Sequence, residues 1–181
     1  MMSERQKHGF DYQKLIIEKY NLLDGGVYNG KWDGYDEIGG VKIPVSIKCL
    51  NIGSSIELGD FKRQIEIDCD FILYVGFWDG NTNNIIDSYR VLIYYNNWVN
   101  YFGDVNILDD MLNDMKTISN DYSDDEKWGN FRLKYNKRYG KSIISLRFKR
   151  DHKKQKRIQC GISNKNFHDL ILKENKNLLY L

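Results

Sequence analysis

Apolar residues recur along this chain with two spacings, and the changes from one to the other mark its elements. In FDYQKLIIEKYNLL, Phe10 to Leu23, they return every three to four positions, with Leu15, Ile16, Tyr20 and Leu23 on one stripe that also takes Lys19. That is the period of an amphipathic helix, and Asp24-Gly25-Gly26 stops it. Residues 1–8 are charged and expected to fray. After Val27–Tyr35 leads in, KWDGYDEI and VKIPVSIKCL flank Gly39-Gly40. Glycine takes positive φ at little cost, so Lys31–Lys48 reads as a β-hairpin turning at Ile38-Gly39-Gly40. Pro44, the chain's one proline, has no N–H and belongs at a strand start or an unpaired edge.

Further on, Ser54-x-x-Glu57 has the form of a capping box and predicts a helix. Glu57, Asp60 and Gln64 would share its polar side, and Leu58, Phe61 and Ile65 its apolar side. DFILYVGFW, 70–78, is nearly all apolar and predicts a strand covered on both faces. Asp79-Gly80-Asn81 is a turn, and SYRVLIYY, 88–95, a second such strand. The aromatic-rich stretch Tyr94–Tyr101 is read as core edge in preference to a base-stacking surface. Helical spacing of Val105, Leu108, Met111, Leu112 and Met115 predicts a helix over 104–119. An acidic turn at 121–126 opens a short helix through Trp128, Phe131 and Tyr135. Two strands, 143–150 and 156–162, follow, then a helix over 166–172. The apolar tail 178–181 is expected to dock on the core or on a second subunit.

Length and composition suit one domain, 1–181. Its catalytic core is placed at about 9–100 and a helical, basic DNA-binding part at about 104–175. Three cysteines, Cys49, Cys69 and Cys160, show no metal-ligand spacing, which fits a reducing cytoplasm. No apolar run is long enough to span a bilayer, so no membrane role is expected. No Walker A loop or GxGxxG is present, so a nucleotide cofactor is not expected. Three scattered histidines, His8, His152 and His168, compose no triad or HNH-like pattern.

The hairpin carries the chemistry. A two-residue turn at 39–40 pairs residue i with 79 − i, so Asp33 faces Ser46. Side chains alternate along a strand, so Ser46 and Lys48 share a face and Asp33 joins them, while Asp36 points away unless a bulge intervenes. In-line displacement at a phosphodiester needs a polarising metal and a cation near the nucleophile or the developing charge. Asp33 would hold Mg²⁺, which commonly takes one or two carboxylates plus substrate phosphate, and Lys48 would position the attacking water. This arrangement resembles the PD-(D/E)xK nuclease superfamily, which includes many type II restriction endonucleases. The resemblance covers roughly the first half of the chain and departs from the pattern at Ser46, where an acid usually stands. In a subgroup of those enzymes serine occupies that slot and an acid from the following helix restores the ligand, which here implies Asp60 or Glu57. Glu66 is a weaker choice. Glu18 on the first helix matches a residue that sometimes reaches the metal; a solvated helix face is favoured for it. The fold implied is an α/β restriction-endonuclease-like α/β/α core, a central mixed sheet flanked by helices, with a C-terminal basic β-hairpin.

Charge decides the remaining expectation. The chain holds 27 Lys and Arg against 25 Asp and Glu, yet residues 141–162 hold eight against one, Asp151. A local positive field in a nearly neutral chain is the footprint of phosphate binding. Arg147, Lys149, Arg150, Lys153, Lys154, Gln155, Lys156, Arg157 and Gln159 are therefore the expected DNA contacts. A two-stranded ribbon fits the major groove, where Arg or Lys reads guanine and Gln reads adenine. An edge hairpin protected by lysines is the plainer reading. Asp109, Asp110 and Asp114 read as a solvated helix face. The expected function is Mg²⁺-dependent cleavage of double-stranded DNA, of type II restriction kind, by a homodimer. A structure-specific repair or junction nuclease and a non-catalytic DNA-binding protein are the alternatives.

Overall fold

A computed structural model describes residues 4–25, 31–82, 84–119, 124–150, 155–174 and 178–180, with the backbone alone for 4–6 and 178–180. The protein is α/β, with a mixed sheet flanked by helices. Helix α1 (Glu4–Tyr20) is followed by strands β1 (Leu23–Asp24), β2 (Gly34–Ile38), β3 (Val41–Asn51) and β4 (Ile56–Asp60). Next come α2 (Phe61–Ile65), β5 (Phe71–Trp78), β6 (Ile85–Ile93), α3 (Tyr95–Trp98), α4 (Leu108–Thr117) and α5 (Asp125–Tyr139). The chain closes with β7 (Ile144–Arg150), β8 (Lys156–Ile162), α6 (Asn164–Lys173) and β9 (Leu178–Tyr180). Two short 3-10 turns, Val99–Tyr101 and Val105–Ile107, precede α4. No helix among the described residues is long and apolar enough to cross a membrane.

Among the described residues, the larger sheet runs β1-β2-β3-β5-β6-β9 with β3 and β5 as its one parallel pair, and β4-β8-β7 form a second, antiparallel sheet. Strand parity divides the larger sheet cleanly. Val45, Ile47, Ile72 and Tyr74 face α1 and pack with Tyr12 and Ile16. Phe71, Leu73, Val75, Phe77, Val91 and Ile93 face the other way, into the main core. That core also takes the inner face of the second sheet (Ile56, Leu58, Ile144, Leu146, Ile158, Cys160 and Ile162) together with the apolar sides of α3 to α6. Every residue of β5 is buried, as a continuous apolar run covered on both faces requires.

Several local expectations give way to tertiary contacts. Helix α1 begins at Glu4 instead of fraying, and its buried positions are Tyr12 and Ile16, while Leu15 and Leu23 are exposed. Tyr12 is fixed by two contacts. Its ring lies where a Cβ on Gly76 would come within 2.5 Å, and its hydroxyl is 2.5 Å from Ser88 Oγ. Leu23 leaves the helix to pair with Tyr35. Pro44 precedes the first β3–β5 partners, Val45 and Ile72, so its missing N–H costs that ladder nothing. The helix expected from Ser54 is overturned. Residues 56–60 are β4, whose buried Ile56, exposed Glu57 and buried Leu58 alternate with a period of two. The capping residue is instead Asp60, ahead of the five-residue α2. Strand β6 ends at Ile93 and is buried only at Val91 and Ile93, its other residues being exposed or half-covered rather than sealed on both faces. Trp98 and Tyr101 are core, as read from the sequence, while Tyr94 and Tyr95 are exposed. Helix α5 is 15 residues long, not short. Strands β7 and β8 pair antiparallel, but β8 lies between β7 and β4, so the pair is not a free two-stranded ribbon. The tip, 151–154, lies outside the described residues, as do 121–123 of the acidic turn. The tail joins the larger sheet as edge strand β9.

Candidate functional site

The turn at Gly39 and Gly40, both at positive φ, sets the hairpin register from Ile38↔Val41 to Gly34↔Val45. β2 goes no further, so beyond Val45 that flank of β3 has no strand beside it among the described residues. Asp33 closes over the gap. Its Oδ2 accepts the Ile47 N–H at 2.6 Å, Ser46 Oγ at 3.4 Å and Lys48 Nζ at 3.2 Å. The ammonium also donates to Ile47 O at 3.1 Å. The approach of Asp33 is held from behind: Trp32 packs on Phe71 with ring centroids 5.3 Å apart, and Lys31 Nζ reaches Glu66 O at 3.0 Å. Ser46 and Lys48 thus share the sheet face turned away from α1.

Asp36 has the opposite parity and sits on the α1 face. It is paired with Arg90 at 2.7 Å, and that guanidinium lies over the Tyr74 ring. Glu18 is exposed on α1 beside Lys14 at 3.8 Å. Since α1 covers the face opposite Lys48, neither acid joins the Asp33 cluster.

Lys48 opens into a cavity of about 560 Å³ lined also by Gly53, Ser54, Ser55, Glu57 and Arg147. Glu57 therefore reaches the Lys48 region, but from a strand and not from a helix. β4 delivers it by pairing with β8, Glu57 opposite Gly161. A register shift after Glu57 and a positive φ at Gly59 then turn the chain into α2. Glu57 is held by two cations, Lys149 Nζ at 3.0 Å and Arg147 Nη1 at 3.3 Å. Asp60 does not line the cavity; its Oδ1 accepts the Arg63 N–H at 3.0 Å as the cap of α2. Cys49 lines the cavity too, and burial pushes its thiol up to about 11, which disfavours the thiolate.

The basic stretch divides. Arg147 and Lys149 share a face of β7; Gln159 and Arg157 stand opposite them on β8. Arg150 is turned inward instead, with its side chain 5% exposed, paired with Asp125 and over the Trp128 ring. Lys156 is also spent internally, donating to Met115 O at 2.6 Å and to Ile118 O at the end of α4, where a cation suits the helix dipole. These two corrections remove them from the expected DNA contacts, because the Arg150 guanidinium is buried and the Lys156 ammonium is turned onto the carbonyls at the end of α4. Gln155 and Arg157 lie at the surface; Lys153 and Lys154 fall outside the described residues. Asp110 and Asp114 are tied to Arg138 and Lys134 of α5 at 2.9 and 2.6 Å, so part of the acidic face of α4 is an interhelical clamp.

Comparison with protein-family models, curated proteins and solved structures gives no match.

Sequence reasoning missed Arg147 as a lining residue of the Lys48 cavity, and missed the loop serines Ser54 and Ser55. The signal for the first lies in IELGD: apolar, acidic, apolar, then glycine is a strand alternation ending in a bulge, and a strand there needs a partner. Among the described residues, no group of three or more His, Cys, Asp or Glu side chains is placed to hold a metal ion. The carboxylates nearest Lys48 by bond or by shared cavity are Asp33 and Glu57.

Proposed function

We propose that this protein is a Mg²⁺-dependent endodeoxyribonuclease that hydrolyses phosphodiester bonds in double-stranded DNA, of type II restriction kind. The observation that carries the proposal is the Asp33–Lys48 pair at 3.2 Å, on a sheet flank that opens into a cavity holding a second carboxylate and a guanidinium. The donor set suits a hard cation. All three side-chain bonds described for Asp33 go to Oδ2, which leaves Oδ1 for a cation, and Glu57, held by Arg147 and Lys149, lines the cavity that Lys48 enters. Mg²⁺ is commonly held by one or two carboxylates and keeps several waters. When bound, it supplies Lewis-acid polarisation of a phosphoryl oxygen and a more acidic water.

The chain's own residues do the rest. Lys48 is held in place by Asp33 and the Ile47 carbonyl, so its ammonium is preorganised to orient a nucleophilic water and to offset developing charge. Arg147 and Lys149 present charge-assisted donors to phosphate oxygens beside it. Arg157 and Gln159, on the same sheet face, extend this surface toward the duplex. The restriction-endonuclease-like reading of the fold rests on the Asp-bearing hairpin, the Lys-bearing strand and the helix against the sheet. Cutting both strands of a two-fold site calls for a homodimer, one site per subunit.

A second reading has its own support. Asp33 caps an otherwise unpaired strand flank, so the same cluster could serve only to hold the fold of a DNA-binding protein. Digestion of phage DNA with Mg²⁺ separates the two. Lys48→Met, which keeps the aliphatic stem, is expected to lower cleavage at least about 100-fold while leaving the far-UV spectrum unchanged. Undiminished cleavage by that variant overturns the assignment. Salt-sensitive DNA binding without cleavage selects the binding protein. Preference for branched over plain duplex selects a junction or repair nuclease.

A further inference from the structure

Residues 91–103 hold no charged side chain, in a chain of which 29% is charged. The stretch runs from the end of β6 through α3 and the 3-10 turn after it. Trp98 and Tyr101 point into the core, 1% and 6% exposed. Tyr94, Tyr95 and Val99 point out, 41%, 37% and 44% exposed, with Asn96 and Asn100 exposed beside them. Hydrogen bonds fix this outer face. The Tyr95 N–H donates to Asp70 Oδ1 at 2.7 Å, Asn100 Nδ2 to Asn96 O at 2.6 Å, and Asn97 Nδ2 to buried Glu174 at 2.9 Å. Aromatic and amide side chains without charge are the composition of the centre of a protein interface. A surface already ordered loses little entropy when it docks.

Charge selects the occupant. Duplex DNA needs cations against its phosphates. Residues 91–103 offer none, Asp70 stands at their edge, and Arg147, Lys149 and Arg157 are on β7 and β8. In a two-fold pair a patch meets its own copy, so a charged patch would meet like charge and this one does not. The location fits as well. Asp70 precedes Phe71, on which Trp32 packs at 5.3 Å, and Trp32 precedes Asp33. The surface therefore borders the end of the larger sheet that carries Asp33.

We propose that the outer face of α3, formed by Tyr94, Tyr95, Val99, Asn96 and Asn100, is the centre of an isologous interface with a second copy of this chain. Its role deepens the nuclease reading and rests on it: copies joined beside Asp33 bring two sites to the two strands of one duplex. A stable interface takes about 800 Å² from each partner. The two tyrosines and the valine are its anchors, and the asparagines around them supply the polar rim.

The test is sedimentation equilibrium of the full chain at micromolar concentration. The unaltered protein is expected at the mass of two chains. Tyr95→Glu with Val99→Glu sets like charges against each other across the axis and is expected to weaken pairing at least about thirtyfold. Both side chains point to solvent, so the far-UV spectrum should not change. Leu133→Glu, at a residue 71% exposed on α5, is the control and should keep the two-chain mass. With Mg²⁺ and supercoiled plasmid, the unpaired variant is expected to accumulate nicked circles where the unaltered protein gives linear DNA. A one-chain mass for the unaltered protein overturns the proposal, as does a two-chain mass for the double variant or equal loss of pairing in Leu133→Glu. So does weaker duplex binding by Tyr95→Ala with Val99→Ala at an unchanged two-chain mass, which would make this a nucleic-acid surface. If the chain cuts DNA but is never paired through this face, only the pairing fails. If it pairs as expected and cuts no DNA, only the nuclease reading fails.

Discussion

At the scale of single residues, Asp33 has two tasks that can be separated. It satisfies the Ile47 N–H at 2.6 Å, on a flank of β3 that β2 leaves uncovered, and it holds the Lys48 ammonium. A half-buried donor left without an acceptor costs about 1–3 kcal/mol. Asp33→Ala is therefore expected to lower unfolding stability by about that amount, read from the denaturant midpoint. Asp33→Asn keeps an acceptor and should lose less. An equal loss in both variants would show that the charge, not the N–H, is what matters. This residue was largely legible beforehand: the paired glycines fix the turn, the turn fixes the register, and alternation then puts Asp33, Ser46 and Lys48 on one side. Arg150 and Lys156 were not legible. A basic run tells of charge but not of which charges are already spent, and both point into the molecule.

Elements show where local pattern and long-range pairing disagree. Residues 54–66 carry both a capping-box spacing and a short alternation, and nothing local chooses between them. Pairing with β8, about a hundred residues later in the chain, decides for a strand at 56–60. Helices α4 and α5 illustrate the opposite case, in which local pattern found both, though it made α5 too short. What it could not find is the clamp between them. Asp114 accepts from Lys134 Nζ and from the Tyr135 hydroxyl, each at 2.6 Å, and these bonds hold its carboxyl below the ordinary 3.8. A carboxylate whose folded pKa is depressed stabilises the fold above its unfolded value, and this contribution fades as pH falls through the folded value. Asp114→Asn is thus expected to be less stable than the unaltered protein at pH 7. Thermal melts should show the gap closing as the pH drops below 3.8. The pair is exposed, so added salt should narrow the gap as well. A gap that persists at low pH would assign the effect to something other than this charge.

For the whole molecule, the decisive feature is a core shared between two sheets. Phe71, Leu73 and Val75 of the larger sheet lie in one cluster with Leu58, Ile158 and Cys160 of the smaller, and Trp98 and Tyr135 belong to the same cluster. Trp98 is 1% exposed, edge-on to Phe71 at 5.0 Å, and its indole N–H donates to Gln64 O at 3.1 Å. Buried Glu174 ties the end of α6 to the same region through Asn97 at 2.9 Å and the Tyr101 hydroxyl. The described residues of 104–174 share their core with the larger sheet, so the two parts should unfold together. Far-UV circular dichroism and tryptophan fluorescence are expected to give coincident denaturant transitions, and Trp98→Ala to cost about 3–5 kcal/mol in both. Two resolved transitions would mean that the smaller sheet and its helices form an independent unit.

The sequence alone determined what depends on neighbours in the chain: the hairpin and its register, the fully buried strand 71–78, the helices after residue 104, and the meeting of Asp33 with Lys48. Glycine φ preferences, alternation and helical period act over a few residues and can be read there. Only the tertiary structure decided that Glu57 arrives on a strand, that Arg147 lines the Lys48 cavity, and that α1 keeps Glu18 on the far side of the sheet. Those outcomes depend on which strand finds which partner across about a hundred residues, and on which charge is buried when it does; no local spacing encodes either.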